Sequence, residues 1–309
     1  MSEKRVLIAA PRSFCAGVVR AIDIVEKLLA THGPPVYVRH EIVHNVHVVR
    51  DLEERGAIFV DTEQEVPEGA LVVLSAHGVA PQVYRKCAER GLKVMDATCP
   101  LVSKVHAEAR RYAGRGLRIA LVGHARHEEV VGTMGEAPDS IVLVETVEDV
   151  RNLQAEDGQQ VAYLTQTTLS VDDTAEVVDA LRTRFPDLVG PPSADICYAT
   201  QNRQDAVKKV CERATLVLVV GSKTSSNANR LVEVARSCGA DAHLIDDEGD
   251  LDLAWLDGHD VVGLTAGASS PELLVTRVAD KLAERGYVHR EEVELTHEDV
   301  YFRLPVELR

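Results

Sequence analysis

Short apolar runs recur along the chain, their starts 14 to 31 residues apart save for one gap of 55. They are RVLIAA (5–10), VYV (36–38), AIFV (57–60), LVVLSA (71–76), LKVMDA (92–97), RIALVG (118–123), IVLVE (141–145), VAYLT (161–165), LVLVVG (216–221), AHLID (242–246) and VVGLTAG (261–267). The runs are continuous rather than alternating, which predicts strands covered on both faces and so parallel sheets. Segments such as VVRAIDIVEKLLATHG (18–33) and NRQDAVKKVCERA (202–214) lie between them with helical spacing. Strand and helix alternating throughout predicts an α/β protein. Eleven strands are many for one sheet, and a period near one third of the length predicts three units of about four strands each. The expected boundaries are 15–98, 99–193 and 194–285, the strand of 1–14 joining the third unit. PDLVGPPSADIC (186–197) is the best linker candidate, and 286–309 is expected to form a strand or extended arm that closes one domain.

Composition narrows the functional classes. A chain of 309 residues with 45 % hydrophobic residues is long and apolar enough for several cores. Its formal charge of −15 disfavours a phosphate backbone, so nucleic acid is not expected as a partner. No run reaches the length of a membrane span or a signal peptide, and a cytoplasmic location is expected. Six cysteines without a secretory signal predict thiols or metal ligands rather than disulfides.

Ligands of open parallel sheets collect beyond the carboxyl ends of strands. Several tails there are unusual: RHEIVHN (39–45), SAHGV (75–79), DATCP (96–100), GHARHEE (123–129), TQTTLS (165–170), GSKTSSNANR (221–230) and TAGASSP (265–271). They place His44, His77, His127, Thr167, Thr168, Ser225, Ser226, Asn227 and Ser269 at strand or helix termini, where such donors with backbone amides can hold an anion such as phosphate. Taken singly, each Ser or Thr also reads as a helix cap and each His as a structural histidine. The tails FVDT, LVET and LIDD read as plain caps.

The cysteines divide in two. Cys87, Cys211 and Cys238 fall inside or at the end of helical patterns and read as small packed residues. Cys15, Cys99 and Cys197 each precede a helical segment, one per expected unit. From spacing alone, three converging ligands and three unrelated helix-start cysteines are equally good readings. If they converge, structural zinc lacks its close cysteine pairs. Three distant thiolates suit an iron–sulfur cluster with one iron left open as a Lewis acid.

Other motifs fail. A phosphate-binding P-loop would need glycine at Val217 and Ser222, HEEVV has valine at the second zincin ligand position, Val131, and no strand is followed by a dinucleotide-binding glycine fingerprint. A non-catalytic iron–sulfur redox sensor and a metal-free enzyme acting on a phosphorylated metabolite remain as rival readings.

Nine segments in order, PRSFCAGVVRAI, YVRHEIVHN, SAHGV, DATCPLVSKVH, GHARHEEVVGTMG, TQTTLSVDDT, DICYATQNRQ, VVGSKTSSNANRL and GLTAGASSP, closely resemble the LytB/IspH family of 4-hydroxy-3-methylbut-2-enyl diphosphate reductases, from about residue 5 to about residue 280. The resemblance implies three α/β domains in pseudo-threefold arrangement around a central [4Fe–4S] cluster held by Cys15, Cys99 and Cys197. It implies reductive removal of an allylic hydroxyl, held at the open iron, as the last step of the non-mevalonate isoprenoid route. The products are isopentenyl and dimethylallyl diphosphate, and the electrons come from ferredoxin or flavodoxin. It also implies that His44, His77, His127, Ser225, Ser226, Asn227 and Ser269 hold the diphosphate, that Glu129 relays a proton and that Thr167 is its partner. Glu129, buried near the diphosphate, is expected to have a raised pKa because neighbouring negative charge disfavours ionisation. The sequence departs from the family pattern at Ser13, where the family has Gly, at Glu128, where it has Pro, and at Thr224, where it has Asn. Ser13 is expected to affect packing beside the first cysteine loop, and Glu128 the pKa of Glu129.

Overall fold

The structure is a computed structural model that describes residues 4–156 and 158–309. Among those residues twelve strands form three sheets, and every strand pairing is parallel. The chain is a mixed α/β protein, as the alternation of runs predicts.

The first sheet has the order β3-β2-β4-β5, from β2 (Val36–Arg39), β3 (Ala57–Val60), β4 (Leu71–Leu74) and β5 (Lys93–Asp96). The second has the order β7-β6-β8, from β6 (Arg118–Val122), β7 (Ile141–Val144) and β8 (Val161–Thr165). The third has the order β10-β9-β11-β1-β12, from β1 (Arg5–Ala10), β9 (Leu216–Val220), β10 (Asp241–Ile245), β11 (Val261–Ala266) and β12 (His289–Glu294). One arrangement recurs in all three. The first strand of each set lies in the middle, the second on its outer side and the third on its inner side: β3-β2-β4, β7-β6-β8 and β10-β9-β11.

Among the described residues the ten α-helices are α1 (Ala16–His32), α2 (Val46–Glu54), α3 (Pro81–Glu89), α4 (Pro100–Gly114), α5 (Glu128–Glu136), α6 (Val147–Asn152), α7 (Val171–Arg184), α8 (Tyr198–Cys211), α9 (Ser226–Ser237) and α10 (Glu272–Ala283). Side chains alternate across a strand, so a strand buried on both faces needs a helix on each. In β9 every residue is buried. Leu216, Leu218 and Val220 pack with Leu274, Val275 and Val278 of α10, while Val217 and Val219 pack with Leu231, Val234 and Ala235 of α9. In β6, Ile119 and Leu121 pack with Val105, Ala109 and Tyr112 of α4; Ala120 and Val122 pack with Val177 and Leu181 of α7. No described helix is long and apolar enough to cross a membrane.

By contacts the chain divides into two compact units. One contains residues up to Val19, His44–Arg50 and Tyr198–Tyr301, and so carries the five-stranded sheet. The other contains Arg20–Val43, Asp51–Cys197 and Phe302–Arg309, and carries the other two.

One element differs from the pattern-based expectation, and one agrees with it. The eleven runs become strands, and the strand or extended arm expected within 286–309 is present as a twelfth, β12, formed by HREEVE and mostly exposed. It lies at the sheet edge beside β1, where no second apolar face is needed. The proline-rich stretch 186–197 is fastened rather than loose. Val189 bridges to Ala162, with its amide donating to Val161 O at 2.9 Å and its carbonyl accepting from Tyr163 N at 2.9 Å. The Tyr112 hydroxyl donates to Gly190 O at 2.7 Å, and Lys104 Nζ donates to Ser193 O at 2.7 Å and Ala194 O at 3.0 Å.

Candidate functional site

The residues singled out beyond the strand ends fall at repeated offsets. Three residues past the ends of β4, β8 and β11, at Leu74, Thr165 and Ala266, stand His77, Thr168 and Ser269. Five residues past the ends of the central strands β2, β6 and β9, at Arg39, Val122 and Val220, stand His44, His127 and Ser225. The helix that follows a central strand must start close to it. Gly123 and Gly221, the first residues after β6 and β9, allow this: a Cβ on Gly123 would meet Val130 Cγ2 at 2.6 Å, and one on Gly221 would meet Ala228 Cβ at 2.5 Å. The equivalent residue after β2, His40, adopts a left-handed φ of 55°.

The three candidate ligand cysteines share one anchoring. Each donates its backbone amide to the carbonyl two residues past the end of a third-type strand. Cys99 N bonds Ala76 O at 3.0 Å beyond β4, Cys197 N bonds Thr167 O at 3.0 Å beyond β8, and Cys15 N bonds Ala268 O at 3.1 Å beyond β11. A helix follows each at once: α4 after Cys99, α8 after Cys197 and α1 after Cys15. Cys99 stands at the N-cap of α4, yet its thiol does not cap the helix; Pro100 at the first helical position lacks the amide hydrogen. All three are half-buried, and none is in a disulfide.

In the unit that carries the five-stranded sheet, Ser225 caps α9, its hydroxyl accepting from Ala228 N at 3.3 Å. Ser226 is the first residue of that helix. Ser269 Oγ donates to His44 O at 2.9 Å and lies 3.4 Å from Ser225 Oγ. Asn227 is buried, with Oδ1 accepting from Ala268 N at 2.8 Å and Nδ2 donating to Thr200 Oγ1 at 3.3 Å. It thus braces the loop that anchors Cys15. The loop itself turns at Ser13, whose φ of 58° lies in the region that favours glycine. Its hydroxyl donates to Glu272 Oε2 at 2.6 Å. Below it Arg203, fully buried, donates to Ser13 O at 2.8 Å, Ala199 O at 2.8 Å and Glu298 Oε1 at 3.0 Å.

In the other unit Glu129, in the first turn of α5, is 2 % exposed. Thr167 N donates to its Oε1 at 2.7 Å and Thr167 Oγ1 to its Oε2 at 2.9 Å. Burial raises its pKa to about 7, against the opposing pull of the two Thr167 bonds, with a smaller upward push from Asp195. His127 caps α5, with Nδ1 accepting from Glu129 N at 3.2 Å, and its ring meets that of His77 edge to face at 6.0 Å between centroids. Thr168 Oγ1 accepts from Gln166 Nε2 at 2.8 Å.

The raised pKa expected of Glu129 is present, with burial as its main cause. The Glu128 carboxylate is engaged elsewhere, 3.0 Å from His40 Nδ1 and 3.2 Å from His77 Nδ1. Burial would raise Glu128, but the two imidazoles outweigh it and hold the carboxyl well below the usual range. Sequence patterns passed over His40, Arg203, Asp195 and Glu298. Asp195 buries its carboxylate against Thr165 N at 3.0 Å and Lys104 Nζ at 3.1 Å. His40 and Arg203 lie inside quoted motifs, so the signal was present but assigned no task. Glu298 sits in a polar arm with no such signal.

Comparison with known proteins shows the family. The chain is 60 % identical to "4-hydroxy-3-methylbut-2-enyl diphosphate reductase" of Acidothermus cellulolyticus, over all of this chain and 91 % of that one. It is 58 % identical to the protein of the same name from Mycolicibacterium paratuberculosis, over all of this chain and 93 % of that one. The solved structure of the E-1-hydroxy-2-methyl-but-2-enyl-4-diphosphate reductase from Plasmodium falciparum superposes with a TM-score of 0.97 at 40 % identity, covering 99 % of this chain and 97 % of that one. The family described as LytB protein matches residues 6–283, and the chain belongs to that family.

Proposed function

We propose that this protein is a 4-hydroxy-3-methylbut-2-enyl diphosphate reductase with an iron–sulfur centre, acting in the non-mevalonate isoprenoid route. The relatives' shared name supports the reaction class. The observation that carries the cofactor is the repeated anchoring: one half-buried cysteine per sheet, its amide fixed to the same loop position and its thiol outside any disulfide. Three thiol donors from separate elements, without a close pair, fit a [4Fe–4S] cluster better than structural zinc. Cys15, Cys99 and Cys197 would hold it, and when bound it supplies two electrons and one Lewis-acidic iron to the allylic alcohol.

The chain's own residues supply the rest. The net change takes up two electrons and two protons, breaks the allylic C–O bond, forms one C–H bond, and releases water and a five-carbon alkenyl diphosphate. His44, His77, His127, Ser225, Ser226, Asn227 and Ser269 are assigned to the diphosphate, with Thr168 beside them. The N-termini of α5 and α9 add backbone amides and the positive ends of helix dipoles. Glu129, near pH 7 half protonated, is assigned to give a proton to the departing oxygen, and Thr167, bonded to both of its carboxyl oxygens, to fix its orientation. Isopentenyl and dimethylallyl diphosphate arise as the proton is delivered to either end of the allyl system. Electrons are assigned to a ferredoxin or flavodoxin in the cytoplasm.

The test is anaerobic turnover of the hydroxylated allylic diphosphate with a reduced low-potential dye, products being separated by mass spectrometry. Both isomeric diphosphates should form. A brown, reducible protein that forms neither would leave only the redox-sensor reading.

A further inference from the structure

Two of the cysteines not assigned to a metal meet elsewhere. Cys211 is the last residue of α8, and Cys238 directly follows the last residue of α9. The two helices pack against each other on one face of the five-stranded sheet. Cys211 packs, half-buried, against the cluster that α9 builds with Leu231, Val234 and Ala235. Cys238 closes that helix, its amide donating to Val234 O at 3.1 Å, and is exposed. With both residues at the ends of packed neighbouring helices, the two thiols lie close enough to act on each other electrostatically. They sit where α8 and α9 end and β9 and β10 begin, so they lie at the opposite edge of the sheet from Ser225 and Ser269.

We propose that Cys211 and Cys238 form a reversible redox dithiol, oxidised to an intramolecular disulfide by low-molecular-weight disulfides. The exposed and buried members have distinct tasks. Cys238 as thiolate attacks one sulfur of the small disulfide, whose S–S bond breaks; the first small thiol leaves with a proton. Cys211 then attacks the Cys238 sulfur of the mixed disulfide and expels the second small thiol. In sum the two protein thiols lose two electrons and two protons, and the small disulfide gains both. Burial pushes the Cys211 thiol up to about 12, helped by the neighbouring Cys238. It therefore keeps its proton until an adjacent disulfide gives it a target, and exchange should quicken as pH rises.

The experiment incubates the anaerobic holoprotein with excess oxidised glutathione at mildly alkaline pH. Remaining thiols are blocked, and the protein is digested with trypsin without reduction. Cleavage after Arg213 and Lys223 places the two cysteines on separate peptides. Mass spectrometry should find these peptides joined, two hydrogens lighter than their sum, and separated again by dithiothreitol. In Cys211→Ser a stable glutathione adduct should instead remain on Cys238, while iron content is unchanged. The proposal is overturned if the unsubstituted protein accumulates the adduct on Cys238 without the cross-link, or if neither cysteine reacts. Its failure leaves the reductase reading intact, because neither thiol belongs to the assigned cluster ligands.

Discussion

Glu129 and Arg203 carry the sharpest consequences at the scale of single residues. An ordinary glutamate titrates near 4.5, and burial lifts Glu129 to about 7. Below the lower value it is protonated in both folded and unfolded chains and affects stability equally. As pH rises from there, the unfolded chain ionises first, so stability falls until about pH 7 and then levels. The total loss is on the order of 3 kcal/mol. Glu129→Gln should abolish that fall, as urea unfolding at a series of pH values would reveal; an unchanged pH dependence contradicts the burial argument. The same substitution should lower turnover by roughly 100-fold with the cluster absorbance intact, since a general acid contributes about that much. Unchanged turnover removes Glu129 from the mechanism. Arg203→Met leaves Glu298 without its buried partner and the Ser13 carbonyl without its donor. A loss of about 3 to 5 kcal/mol is expected in denaturant unfolding. Neither side chain's surroundings were legible in the sequence. HEEVV reads equally well as an exposed first turn, and Glu298 lies 95 positions from the arginine it meets.

Helix starts are where structure and binding compete for the same atoms. His127 uses Nδ1 as an acceptor to cap α5, which in the neutral tautomer puts the ring hydrogen on Nε2. His127→Ala should cost about 1 kcal/mol of stability through the lost cap, whereas His127→Asn should retain it. Both should weaken substrate binding alike, seen as a raised KM. Full binding by the asparagine variant would reduce His127 to a cap. Asn227 already shows the bland outcome in part, because both ends of its amide are engaged with Ala268 and Thr200. Runs buried on two faces were readable as strands because continuous apolar sequence admits few alternatives in an alternating α/β chain. The edge strand β12 leaves no apolar run, since HREEVE meets solvent on most of its residues, and was legible only as a strand or extended arm of the polar C-terminal segment. The fastening of 186–197 escaped that logic, because it rests on backbone and Lys104 hydrogen bonds that leave no apolar trace.

Over the whole molecule, the recurring strand order and the equal offsets of His77, Thr168 and Ser269 express one design used three times. The sequence showed the period only faintly, since the repeats share positions rather than residue types. A charge of −15 also shapes any redox partnership. An acidic ferredoxin would be repelled at long range, so electron transfer from one should quicken as salt rises. The most direct test of the account is the iron and acid-labile sulfide content of anaerobically prepared protein, compared across single Cys→Ser variants. About four irons per chain are expected in the unsubstituted protein and in Cys211→Ser. Severe loss is expected at Cys15, Cys99 and Cys197 alike. Iron that survives replacement of Cys15 undiminished would contradict the shared cluster.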